Sequence, residues 1–209
     1  MTSNVLVTAL RRTVTSMVIC VISVSGAFAD ISTGVPSVRF SFGSQTFVVT
    51  RDTISGLPDP YARPPATCPD HCIEPTLAAP GVATLTELDV LSYMQGPVSQ
   101  GSGLLVDARL PESFADGTLP GAISVPAPTL VRDNPYREDL LLALGARRQI
   151  GQMDFSAAFD LLIFDDGPWS PTARLAIERL LDAGYPAEKI SYYRGGLQMW
   201  HVLGLSVMR

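Results

Sequence analysis

Thiols, imidazoles and clustered positive charge are all scarce in this chain. Its 209 residues hold three cysteines and two histidines. A metal centre is therefore short of ligands: His71 stands between Cys68 and Cys72, but no fourth ligand is in view, so no metal is expected. The net charge is −5, and no Lys/Arg cluster forms a stripe that could track phosphates, which argues against a nucleic-acid partner. The apolar run TVTSMVICVISVSG near the N-terminus falls short of the roughly 20 residues a membrane-spanning helix needs. No internal repeat is present, which excludes a repeat array.

That short apolar run has a different reading. Arg11 and Arg12 precede it and the A-x-A triplet Ala27–Phe28–Ala29 follows it, the pattern of an export signal cleaved near Ala29. An uncleaved anchor is the alternative. Residues 1–29 carry two arginines and no acids, so the mature chain has a net charge of −7, against −5 for the whole. Cleavage also removes Cys20 and any membrane span. Cys68 and Cys72 remain as an even pair in an exported, periplasmic chain, where an oxidising environment favours a disulfide. A redox pair, or a thiol folded back to serve an active site, stays open beside it.

The mature sequence divides in two. Residues 30–80 combine a β-hairpin over 38–50, with Gly43-Ser44 as its turn, and a proline-rich arm holding both cysteines. Residues 81–209 form a compact α/β domain. Thr84 and Glu87 match a capping box, followed by a helical stripe of Leu85, Leu88 and Leu91. GLLVDARL reads as a buried strand ending near Asp107, PESFADG as a short helix or turn, GAISVP as a short strand, YREDLLLALGA as a helix and DFSAAF as another helical turn. Leu161–Phe164 is a buried strand. Ser170 is placed as the N-cap of a helix with Pro171 at its first position, Leu175, Ile177, Leu180 and Leu181 on its buried face, and Gly184 at its end. KISYYRGG is another core strand and LQMWHVLG a last short helix. Strands alternating with helices predict a parallel sheet of about five strands covered on both faces, a three-layer arrangement.

Two segments carry a family resemblance. LLVDARLPESFADGTLPGAISVP, with Asp107, Arg109, Pro111, Glu112, Phe114, Gly117, Pro120, Gly121, Ala122 and Pro126, resembles the first signature of rhodanese-like domains. YYRGGLQMWHVLGLSV, with Gly195, Gly196, Trp200 and Gly204, resembles the closing one. The match spans about residues 81–209, and CPDHCIEP with GPW and YYRGG resembles an exported subgroup. The resemblance implies a rhodanese-like three-layer fold and sulfur transfer through a cysteine at the end of the central strand. Here that position, directly after Phe164, is Asp165. The position after GPW, where the subgroup would carry a second cysteine, is Ser170. The family's substrate-loop arginine has no evident counterpart unless it is Arg174.

The loop Asp165, Asp166, Gly167, Pro168, Trp169, Ser170 lies between a strand end and a helix N-terminus, so its amides and the helix dipole converge on one point and favour an anion. Such a cradle activates a thiol as thiolate. A carboxylate cannot form a persulfide, so Asp165 is read in one of two ways: a built-in occupant of the cradle, or a solvent-facing cap shared with Ser170. Phosphotransfer through Asp165 is a further alternative, against which stands the adjacent Asp166 in place of a D-x-D spacing. Trp169 either plugs the core or lines a recognition surface. Asp107 and Arg109 are structural, Arg109 pairing with Glu112 or its neighbours. His201 is a half-buried structural histidine, and Leu197, Met199 and Trp200 are core and rim. The leading expectation is an exported, non-catalytic rhodanese-like protein that binds a small anion, a thiol or persulfide group, or a periplasmic protein partner, with no cofactor. Thiosulfate or thiol sulfurtransfer using Cys68 and Cys72 is the enzymatic alternative.

Overall fold

A computed structural model describes residues 29–63, 65, 67–74 and 77–209. The expected signal segment, apart from Ala29, lies outside the described residues.

The chain begins with the expected hairpin. Strands β1 (Val38–Phe42) and β2 (Gln45–Val49) pair antiparallel, Val38 opposite Val49 and Phe42 opposite Gln45. Gly43 makes the turn with φ +57°, a left-handed conformation that glycine adopts without a Cβ clash. The arm that follows contains a 3-10 turn at Asp59–Tyr61 and one helical turn, α1 (Asp70–Ile73). Between Val49 and Val82 no described residue is buried. The arm therefore runs over the surface.

The domain proper starts with a short edge strand, β3 (Ala83–Leu85). The capping box is built from Thr86 and Asp89 and opens α2 (Glu87–Tyr93), not from Thr84 and Glu87 as the sequence pattern suggested. Thr84 is committed to β3. The buried face of the helix is Val90 and Leu91, continued by Met94, while Leu88 is exposed. Next come β4 (Gly103–Asp107), α3 (Pro111–Asp116), β5 (Ile123–Ser124) and α4 (Arg137–Ala143). A polar hairpin of β6 (Arg147–Gln149) and β7 (Gln152–Asp154) follows, where no strands were expected. DFSAAF is a turn and not a helix. The last third is β8 (Asp160–Phe164), α5 (Thr172–Asp182), β9 (Ile190–Tyr193) and α6 (Gly196–Val202).

The central sheet has five strands in the order β3-β9-β8-β4-β5, each pair parallel. Alternation along its strands fills two cores, as a sheet covered on both faces requires. Leu104, Val106, Leu161 and Ile163 pack with α4 and with Ala173, Ala176, Ile177 and Leu180 of α5. Leu105, Leu162 and Phe164 point the other way, into Val90 and Leu91 of α2, Leu197 and Trp200 of α6, and Val38, Phe40 and Val49 of the hairpin. The buried face of α5 is rotated from the expected one: Leu175 is exposed and Leu181 only half-buried, because Ala173 and Ala176 let the helix approach the sheet closely. Gly184 ends α5 at φ +92° as expected.

Among the described residues no helix is long and apolar enough to cross a membrane.

Candidate functional site

The carboxyl ends of three adjacent strands set the site. Asp107 is in register with Phe164, and Phe164 with Tyr193. The residues immediately beyond, Ala108, Asp165 and Arg194, therefore emerge side by side at one edge. In open α/β sheets this is where ligands bind, at the strands' carboxyl ends.

Asp165 does not point to solvent. It has no exposed surface, and its carboxylate turns back under its own loop. Oδ1 accepts from the Gly167 amide at 3.1 Å, and Oδ2 from the Ala173 amide, in the first turn of α5, at 2.8 Å. Of the two readings of Asp165, the geometry agrees with the built-in occupant. The cap shifts accordingly. Helix α5 begins at Thr172, with Pro171 at the cap position, and the buried Ser170 hydroxyl accepts from the Thr172 amide at 3.3 Å. Ser170 thus serves one N–H of the helix and Asp165 another.

Enclosure works against the charge of the side chain that the amides hold. Burial pushes the Asp165 carboxyl up to about 7, with the Asp166 charge adding to it; the Ala173 amide, the Ser170 hydroxyl and the Gly167 amide pull it down but do not win. Desolvation of a carboxylate with no water access outweighs two amide hydrogen bonds.

The loop is pinned from behind. The amides of Leu197 and Gln198, at the start of α6, donate to the Asp165 and Asp166 carbonyls at 3.0 and 2.9 Å. Gly196 is required for this approach: φ is +55°, and a Cβ there would meet the Asp165 carbonyl oxygen at 2.5 Å and the Gly167 nitrogen at 2.6 Å. Its neighbour Gly195 packs against Glu87 and Tyr193.

Asp166 takes the opposite direction, as adjacent residues at a strand end do. Its Oδ1 accepts from Arg109 Nη1 at 3.1 Å and from the Tyr61 hydroxyl at 3.0 Å. Arg109 is buried and does not pair with Glu112, which is exposed. Asp107 is the nearer acid: Arg109 Nη2 reaches its Oδ2 at 2.7 Å and Nε its Oδ1 at 3.0 Å. Arg109 Nη2 also donates to the Gly117 carbonyl at 2.6 Å, and the Thr118 hydroxyl to Asp107 Oδ2 at 2.7 Å. Burial works against the guanidinium charge, yet the Asp107 hydrogen bonds and charge outweigh it, so Arg109 is held more firmly protonated than an ordinary arginine. The network fixes the turn after β4, as a structural role requires, and it also ties that turn to the loop after β8.

Tyr61 is the residue the sequence reading missed. It descends from the arm, donates to Asp166, accepts from Arg109 Nη1 at 3.2 Å and meets His201 in a tilted ring contact with centroids 4.8 Å apart. Burial and the neighbouring Asp166 raise its phenol above the usual range. An aromatic set among prolines in LPDPYARPP was the available signal of an anchored arm. His201 is lowered by burial and by the nearby Arg209 and Arg109. Beside this cluster lies a cavity of about 360 Å³, its wall including Tyr61, Arg109, Asp116, Asp166, His201 and Arg209.

The remaining expected residues fall around this edge. Trp169 is half-buried and belongs to neither core, so it does not plug one. Pro168 is half-buried in the loop. Gly167 lies against Gln198 at φ +150°, a backbone conformation that L side chains rarely adopt. Arg174 is half-buried on the first turn of α5, its Nε buried without a partner. Cys68 and Cys72 form a disulfide, so neither is a free thiol, and their turn is seated on Arg194, whose Nη2 donates to the carbonyls of His71, Cys72 and Glu74 at 3.1, 2.8 and 3.3 Å.

The sequence profile of the rhodanese-like domain family matches residues 90–202. The chain belongs to the rhodanese-like domain family. No curated protein matches it. Among solved structures, this rhodanese-like chain is similar to a protein of unknown function and possible tyrosine phosphatase from Rhodopseudomonas palustris, with 20% identity, 63% of this chain and 88% of that chain covered and a TM-score of 0.45. It is also similar to the Rhodanese_3-like domain of an Anabaena protein, with 21% identity, coverage of 51% and 98%, and a TM-score of 0.36. A rhodanese-related protein from Thermoplasma volcanium is 17% identical, with coverage of 60% and 97% and a TM-score of 0.41.

Proposed function

We propose that this protein is an exported, periplasmic rhodanese-like domain that does not transfer sulfur and acts as a binding or accessory module. Asp165 takes the position of the family's cysteine in this reading. The single observation that carries it is the fate of the Asp165 side chain: buried, and accepting the Gly167 and Ala173 amides. A carboxylate there offers no sulfur nucleophile, and it occupies the amides that a persulfide or an oxyanion would need. The Cys68–Cys72 disulfide supports the same reading, since sulfur transfer by either residue requires a thiolate. The enclosure of Asp165 also counts against phosphotransfer, which needs an open line of approach to the carboxylate.

Binding is assigned to the neighbouring cavity. Arg209 and His201 offer donors to a small anion or to the acidic or thiol-bearing group of a protein partner, while Asp166 is already engaged by Arg109 and Tyr61. The test is direct. The protein is incubated with thiosulfate and cyanide and thiocyanate is measured, beside a Cys68→Ser/Cys72→Ser variant. No thiocyanate above the uncatalysed background is expected from either. Turnover in the native chain that disappears in the variant would replace this reading with sulfurtransfer by the arm cysteines.

A further inference from the structure

The arm holds two features that the binding role leaves unused: a disulfide, and a tyrosine laid against the cavity. No described residue from Arg51 to Gly81 is buried. Upstream the arm is tied down where the Asp52 amide donates to the Gly204 carbonyl and Arg51 Nε to the Leu203 carbonyl. Beyond that point it has two described polar footholds on the domain. One is Tyr61, on Asp166, Arg109 and His201. The other is the turn that Cys68 and Cys72 close, whose carbonyls converge on Arg194. Segments with few buried apolar contacts and surface hydrogen bonds are the first to open.

The second foothold depends on the shape of the turn. One guanidinium nitrogen takes carbonyls from His71, Cys72 and Glu74, and these converge only while the turn keeps its curl. Helix α1 is a single turn of four residues, too short to persist by itself. The bond between Cys68 and Cys72, four apart in sequence, supplies the constraint. Closing so small a loop restricts the open chain by a factor of about 30.

The bond is also within reach. Cys68 is exposed and Cys72 half-buried, so an incoming thiolate meets the Cys68 sulfur first. Exposed disulfides are the ones that exchange.

We propose that Cys68–Cys72 is a thiol–disulfide exchange site, and that its reduction by a dithiol frees the arm from Arg194 and loosens Tyr61 in the cavity wall. One thiolate of the dithiol attacks Cys68 Sγ; the bond to Cys72 breaks, and Cys72 leaves as a thiolate that takes a proton from water. The second thiolate of the dithiol then attacks its own sulfur in the mixed disulfide and expels Cys68. The dithiol ends as a disulfide, two electrons having passed to the protein. With the turn open, the Arg194 foothold dissolves, and of the two described polar footholds the one at Tyr61 remains. The inference concerns the hold on the arm and the cavity wall, and its test does not depend on whether the protein transfers sulfur.

Amide hydrogen exchange of the protein is followed by mass spectrometry, oxidised and in dithiothreitol, with maleimide labelling to count free thiols. Tyr61 and Ala62 amides, both bonded to the Pro58 carbonyl, and the Cys72 and Glu74 amides, bonded to Pro69 and Asp70, are the reporters. Two thiols are expected to appear under native conditions, with exchange at 57–63 and 70–74 rising about 10- to 30-fold and β4 and β8 unchanged. Cys68→Ser/Cys72→Ser should exchange at the fast rate with or without dithiol, and Arg194→Gln should speed the arm while the disulfide stays closed. Three outcomes overturn the proposal: a bond that dithiothreitol reduces only when urea unfolds the domain, a reduced protein whose 57–63 segment exchanges as slowly as the oxidised one, or a cysteine-free variant that keeps its arm protected.

Discussion

Replacing Asp165 by asparagine asks whether the buried carboxyl is an asset or a liability, and pH gives the answer. An aspartate in the unfolded chain titrates near 3.9; in the fold Asp165 is pushed up to about 7, chiefly by burial. Between those values the folded state binds a proton that the unfolded state has released. Stability from this group is therefore complete below about pH 4 and is lost as pH rises through about 7, at up to about 1.4 kcal/mol per unit. From pH 5 to pH 8 the loss comes to about 3 kcal/mol. Asparagine does not titrate, so the variant lacks this slope. It carries a separate, pH-independent cost. The side chain keeps one acceptor for two donors, the Gly167 and Ala173 amides, and one buried N–H left facing an NH₂ costs about 1–3 kcal/mol. Asp165→Asn should then be less stable than the native protein at pH 5 and should match or exceed it at pH 8. Urea unfolding followed by the fluorescence of Trp169 and Trp200 measures the difference at each pH. A gap that stays constant, or a native protein that gains on the variant as pH rises, would show that the amides outweigh burial and would refute the reasoning.

Other substitutions probe the same architecture. Asp165→Cys should not restore sulfur transfer: enclosure that raises a carboxyl also raises a thiol, so the introduced group should titrate, by its absorbance near 240 nm, no lower than the ordinary value of about 8.5. Gly196→Ala should destabilise the domain by about 2–4 kcal/mol in urea unfolding, because its φ of +55° and the Asp165 and Gly167 backbone atoms leave no room for a methyl group. Arg109→Lys removes the forked contact to Asp107 and the bond to the Gly117 carbonyl, and thermal unfolding should report a loss of about 3 kcal/mol. Tyr61→Phe keeps the ring over His201 but loses the hydroxyl to Asp166, for about 1 kcal/mol, visible as faster exchange of the arm with little change in global unfolding.

What the sequence disclosed follows from how local each signal was. The strand ending at Phe164, the glycine loop and the amphipathic run after it are contiguous, and their periods of two and 3.6 residues could be read directly. The edge strand Ala83–Leu85 could not, since three residues carry no period and its pairing to Ser191, Tyr192 and Tyr193 is distant in sequence. The hairpin from Arg147 to Asp154 is mostly polar, exposed along its first strand and half-buried only at Met153 and Asp154, so no burial pattern announced it; Gly151, at φ +80°, was its one signal. The capping box was displaced by two residues because two overlapping threonine-to-acid spacings were available and only the strand decided between them. At the site, the motif residues Asp107, Arg109, Gly195 and Gly196 were legible as motif but not as partners. Arg109 meets Asp166 across 57 positions and Tyr61 across 48, and in place of Glu112 its nearer acid is Asp107, two residues away.

Those long-range contacts explain why an aspartate is tolerated twice in succession at the end of β8. Two adjacent carboxylates would repel if both faced the same solvent pocket, and one would have to give way. Here the pleat sends them apart. Asp165 goes under the loop and relieves its charge by holding a proton near neutrality, while Asp166 stays on the surface side and is matched by Arg109, whose other acid, Asp107, is buried with it. Arg109 consequently answers to two carboxylates, one from each of the two central strands, and Tyr61 closes the group from the arm. Removing Arg109 leaves two carboxylates without their cation at the sheet edge, a larger loss than the value of a single surface ion pair. The arrangement is thus a clamp on the loop's geometry built from charges that, taken singly, would each be out of place.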